Sequence, residues 1–180
     1  PTRFARLDTG TQAETLFQLN DLLFVGSTTG MLMYDVTSPS NPNYLNSIEH
    51  FRSCDPVVAD ENYAYVTLRG GTNCFTETNE LQIIDIRTPE ELIVVARQVM
   101  FNPHGLAIHE EYLLVCDGTA GLKVVDVSNR NEPEILSIDN IPFAYDIIVD
   151  FPSAIVVGEG VLYQYDLSNL PEIIKTNELV

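Results

Sequence analysis

Four side chains that could do chemistry stand at one fixed distance ahead of four valines. Glu14, Asp55, His104 and Asp146 lie eleven residues before Val25, Val66, Val115 and Val157. Three carboxylates and an imidazole at equivalent places in a repeat could hold a divalent cation, calcium or zinc, with water completing its shell. They could equally offer a general acid and a general base to a bound ligand. Arg69, Asp117 and Glu159 follow three of the same valines by two or three residues. Arg69 is the one base of that group, suited to a ligand carboxylate or to Asp55. An ordinary role competes with all of this. Polar residues that begin inner strands can hydrogen-bond neighbouring loops and tie repeat units together.

Equivalent positions converge only if the chain repeats, and it does. One apolar run closes on an aspartate in "MLMYDVTSP", "LQIIDIRTP", "LKVVDVSNR" and "LYQYDLSNL". The aspartates are Asp35, Asp85, Asp126 and Asp166, spaced by 50, 41 and 40 residues. Ahead of each lies a valine-bearing run: "LLFVGS", "YAYVTLR", "YLLVCDG" and "AIVVGEG". Further extended segments precede and follow, so each unit reads as strands a, b, c and d. The segments are short and rich in Val, Ile, Leu and Tyr, and Gly, Asn, Asp and Pro separate them. No apolar stripe of helical period and length interrupts them.

Four-stranded units near 40 residues are the signature of a β-propeller. The fold class expected is therefore all-β, with about four blades at roughly 9–50, 51–100, 101–141 and 142–180. Residues 1–8 read as the outer strand of a preceding blade. Together with the start at Pro1, this leads us to expect the C-terminal part of a larger propeller. Missing N-terminal blades or another copy would then cover its open flanks. The repeated aspartates are expected to accept backbone N–H groups and fix the turns that follow.

Cys54 opens strand a of the second unit, and Cys74 lies in that unit's long b-to-c loop. Val66 to Asp85 spans 19 residues there, against 9 to 11 in the other units. An antiparallel meander brings the start of a beside the end of b, so a Cys54–Cys74 disulfide is expected. Such a bond fits an oxidising compartment. Cys116 falls inside a strand and reads as a small buried apolar residue.

The net charge of -17 argues against nucleic acid and anionic lipid as partners. No run of apolar residues approaches the ~20 of a membrane helix. His50 and His109 have no acids at metal-ligand spacing, and no hydrolase, phosphate-loop or zincin motif is present.

The units "GLKVVDVSNRNEP" and "GVLYQYDLSNLPE" resemble LVIVD repeats. The series "STTGMLMYDVTSPSNPNYL", "SCDPVVADENYAYVTLRGG", "NPHGLAI", "LLVCDGTAGLKVVDV" and "LYQYDLSN" resembles a group of LVIVD-repeat β-propeller proteins of Bacteroidetes. The resemblance implies a longer parent, further N-terminal blades and an export signal of lipoprotein type. It thus implies a place outside the cytoplasm, at the cell surface or in the periplasm. It supplies no reaction. The function expected is a binding or scaffold module that holds a protein, glycan or small ligand at the channel mouth and the 67–80 insertion. The alternatives are a cation-assisted hydrolase or lyase centred on Glu14, Asp55, His104 and Asp146, and a purely structural segment of a surface assembly.

Overall fold

The computed structural model describes residues 6–49, 56–71 and 78–180. These form four antiparallel four-stranded sheets, each built from consecutive strands. Blade I holds β1 (Ala13–Leu19), β2 (Leu22–Ser27), β3 (Gly30–Asp35) and β4 (Asn43–Glu49). Blade II holds β5 (Val57–Ala59), β6 (Tyr63–Leu68), β7 (Glu80–Asp85) and β8 (Ile93–Val99). Blade III holds β9 (Leu106–His109), β10 (Tyr112–Cys116), β11 (Leu122–Asp126) and β12 (Glu134–Asp139). Blade IV holds β13 (Asp146–Asp150), β14 (Ser153–Val157), β15 (Leu162–Asn169) and β16 (Glu172–Leu179). No helix occurs among the described residues. The chain is all-β, with four sheets of the propeller-blade kind.

The repeated aspartates explain how strand c turns into strand d. Asp35, Asp85, Asp126 and Asp166 each accept the N–H two residues on, from Thr37, Arg87, Ser128 and Ser168, at 2.7–3.0 Å. This side-chain mimic of a backbone turn needs a short carboxylate at that one position. Hydrogen bonds to the charged form, led by those from the side chains of Thr37, Arg87 and Ser168, hold Asp35, Asp85 and Asp166 below the usual carboxylate range. Glycine marks the start of strand c for a steric reason. A Cβ on Gly30 would lie 2.1 Å from the Ile48 carbonyl oxygen, and one on Gly121 would lie 2.2 Å from that of Asp139.

Because side chains alternate along a strand, each blade has two faces, and the core lies between blades. On one face of blade I, Phe24, Met31 and Met33 meet Val57, Ala59, Ala64 and Val66 of blade II. Tyr65, Leu81 and Ile83 of blade II meet Leu106, Leu113, Val115 and Val125 of blade III. Leu114, Cys116 and Leu122 of blade III meet Ile147, Ala154, Val156 and Tyr165 of blade IV. Each such large apolar side chain contributes about 1.5–3 kcal/mol on burial. Polar ties cross the same seams. Asn46 Nδ2 donates to the Pro89 carbonyl at 2.9 Å, Arg130 Nη2 to Asp60 Oδ2 at 3.0 Å, and Tyr165 Oη to Asp139 Oδ2 at 2.7 Å.

Strand a is innermost in every blade. β1 packs on β5, β5 on β9 and β9 on β13, with no comparable packing of β13 against β1. Among the described residues the four blades therefore form an arc with two free ends. Pro56–Val58, Leu106–Ile108 and parts of β1 and β13 line a groove of about 360 Å³ on its axis.

Candidate functional site

Backbone pairing decides which residues are equivalent. Val25 pairs with Leu16, Val66 with Val57, and Val115 with Leu106. In blade IV the residue in that place is Val156, which pairs with Ile147, whereas Val157 pairs with Asp146. The alignment expected from sequence is thus displaced by one residue in the last blade. Its cause is loop length. Six residues separate Val156 from its partner Tyr163, but seven separate Val115 from Lys123. Matching the loop glycines Gly118 and Gly160 absorbs that difference in the wrong place. With a side-chain period of two, a one-residue slip moves a residue to the opposite face. The true counterpart of His104 in blade IV is Tyr145, and Asp146 is the counterpart of Gly105.

His104 and Arg69 do come together. Arg69 follows β6 and reaches across the seam from blade II to blade III. Its Nη1 lies 2.5 Å from Nδ1 and 3.1 Å from Nε2 of His104. A guanidinium only donates, so the imidazole nitrogen facing it carries a lone pair and His104 is neutral. Asn102 places its side-chain amide 3.3 Å from Nε2. Tyr145 and Phe143 meet the imidazole edge to face at 5.5 and 5.4 Å, and their own rings lie 4.2 Å apart. Burial first, and the Arg69 charge second, push the His104 pKa down to about 4, against a smaller upward pull from Asp117. The backbone is held as firmly. The His104 N–H donates to the Cys116 carbonyl at 2.7 Å, and Thr67 Oγ1 donates to the His104 carbonyl at 2.7 Å.

Asp117 is fully buried and serves the same corner. Its carboxylate accepts the N–H groups of Phe101 and Asn102 at 2.8–3.1 Å and pairs with Lys123 Nζ at 2.5 Å. It therefore fixes the loop that carries Asn102 and His104. Sequence reasoning missed Lys123, Asn102, Phe143 and Tyr145. Lys123 had a visible signal, since it is the lone charge inside the apolar run "LKVVD" before its aspartate.

The remaining expected site residues are dispersed. Glu14 and Glu159 are exposed. Asp146 is exposed too, and its Oδ1 accepts the N–H of Ile147 at 2.9 Å. A Cβ on Gly105 would lie 1.9 Å from that same oxygen, so Asp146 fills the space a side chain at 105 would take. Asp55 lies outside the described residues, as do Cys54, Cys74 and residues 72–77 of the 67–80 insertion. Among the described residues no three His, Cys, Asp or Glu side chains gather closely enough to hold a metal ion. Cys116 is a buried free thiol whose pKa burial pushes up.

The groove beside this corner is mostly apolar. Asp146, near its mouth, is the one charged residue among the described residues that line it. The geometry offers a concave, mostly apolar wall; in the neighbouring corner the His104 imidazole rests on a guanidinium and the buried Asp117 carboxylate on an ammonium.

Comparison with known proteins agrees with the architecture. A model of the LVIVD repeat matches residues 52–97 and 103–138. No curated protein matches the chain. Among solved structures, the chain is similar to a protein from Lactobacillus plantarum at 14% identity and a TM-score of 0.76, covering 94% of this chain and 56% of that one. It is similar to the periplasmic gluconolactonase of Pseudomonas aeruginosa at 12% identity and a TM-score of 0.74, covering 97% and 58%. It is also similar to the computationally designed Ika4 protein at 11% identity and a TM-score of 0.67, covering 93% and 99%. The chain thus spans little more than half the length of the two natural proteins, and the likeness is one of fold.

Proposed function

We propose that this propeller segment is an extracytoplasmic binding module, which holds a protein, glycan or small ligand in its axial groove and does not transform it. The observation that carries the reading is the groove itself. It is about 360 Å³, open at the arc, and walled by inner strands of all four blades. Concave apolar walls with few polar groups are the common form of a ligand site. The state of the polar groups points the same way. His104 is a neutral base packed under Arg69, and Asp117 is neutralised by Lys123, so neither is poised to move a proton. The place outside the cytoplasm rests on the resemblance of the sequence to the Bacteroidetes group alone.

The test is a thermal-shift screen of the chain against soluble glycans, short peptides, calcium and zinc. A glycan or peptide is expected to raise the melting temperature, and Ala107→Arg on the groove wall should remove the shift while the far-UV spectrum is kept. Chemical turnover of any hit overturns the reading. So does a rise with calcium or zinc that His104→Gln abolishes. Fractionation of the source cells tests the compartment separately.

A further inference from the structure

The two ends of the arc are unequal to its interior in one respect. On blades I, II and III the positions Phe24, Tyr65 and Leu114 are each 0% exposed beneath the next blade. Backbone pairing places Ile155 of blade IV in the same position, and it is 48% exposed. Ile148 beside it is 73% exposed, and Val157, Leu162 and Leu179 continue the apolar face. At the other end, Leu16 occupies the place of Val57, Leu106 and Ile147. Those three are 4–6% exposed, and Leu16 is 69% exposed. The outer part of blade I's face, Val25 and Tyr34, is already buried, so only its inner edge is free.

We propose that the free face of blade IV docks against the inner edge of blade I of a second copy of this chain, and the converse contact closes a two-chain ring. Three seams within the chain show what such a junction looks like, because Ile148 and Ile155 repeat the face that is covered three times before. The second copy is the occupant that supplies both missing partners at once: its Leu16 for Ile148 and Ile155, and its blade IV for Leu16. A head-to-tail contact made twice closes on a two-fold axis and leaves no free end. The length fits as well. One chain spans 56–58% of the two natural propellers, so two chains amount to a ring of comparable size. Charge opposes the union, since each chain carries -17. Added salt should therefore tighten it.

Sedimentation velocity of the purified chain tests this. The expected species has twice the 20.1 kDa chain mass at micromolar concentration, and raising the salt increases its share. Ile148→Asp and Leu16→Asp each lie at exposed positions, and each should shift the population to monomer with an unchanged far-UV spectrum. Mixing the two variants should restore a dimer in part, because one of the two junctions is then wild type on both sides. A wild-type chain that stays monomeric at high salt overturns the proposal, and the face then belongs to another blade. A dimer that survives Leu16→Asp but not Ile148→Asp also overturns it, since that pattern means blade IV packs on its own copy. Leu16 and Ile148 also line the groove, so the runs are made without ligand and read mass alone.

Discussion

Arg69 from blade II reaches His104 of blade III with 2.5 Å between Nη1 and Nδ1, so a permanent cation rests against a neutral imidazole. The contact joins two blades and, after burial, is the second cause that keeps the histidine neutral. Its folded pKa of about 4 lies below the ordinary 6.5. As pH falls, the unfolded chain takes up the proton first. The His104 contribution is therefore complete above pH 6.5 and is lost between 6.5 and 4, by about 3 kcal/mol at the limit. His104→Gln should lose less stability than wild type across that window in denaturant titrations. Arg69→Gln should raise the histidine midpoint seen by NMR, though not to 6.5, because burial is the larger cause.

Lys123 and Asp117 form a buried pair, and the two partners are not equally replaceable. Lys123→Met leaves a carboxylate uncompensated in the interior and should cost about 3–5 kcal/mol. Asp117→Asn added to Lys123→Met should recover much of this, since an amide oxygen still accepts from Phe101 and Asn102. Urea titrations of the two variants check the order.

Gly105 is required by its neighbour across the seam between blades III and IV. Its N–H donates to the Tyr145 carbonyl at 2.9 Å, and a Cβ there would meet the Asp146 carboxylate at 1.9 Å and the Asp146 backbone at 2.8 Å. Gly105→Ala should destabilise by about 1–3 kcal/mol, as overpacking does. Asp146→Gly should relieve part of that penalty but not all, because the backbone of residue 146 stays where it is. Thermal melts of the single and double variants check this.

Arg130 ties blade III to blade II through Asp60 and lies over the Tyr63 ring at 5.5 Å. Burial raises the Asp60 carboxyl. The bonds from Tyr65, Asn62, Tyr63 and Arg130 outweigh that and leave it below its usual range. Arg130→Met should lower stability by about 1 kcal/mol, and a double-mutant cycle with Asp60→Asn should show coupling between the two sites.

What the sequence determined alone is the architecture. Four copies of an apolar run closing on Asp35, Asp85, Asp126 and Asp166 specify strands, turns and blade order, because each device is local. An aspartate that accepts the N–H two residues on needs nothing distant. The functional corner was legible only in part, for the opposite reason. His104 and Arg69 could be named from their places in the repeat, but the fourth member was misplaced. The loop after β14 is one residue shorter than the loop after β10, which draws the sequence alignment onto Val157 and so onto Asp146 in place of Tyr145. Only the pairing across strands places that difference correctly. The protonation of His104, the Lys123–Asp117 pair and the free face of blade IV also belong to the tertiary structure. Each depends on what a neighbouring blade brings up to it, and no local pattern of residues encodes that.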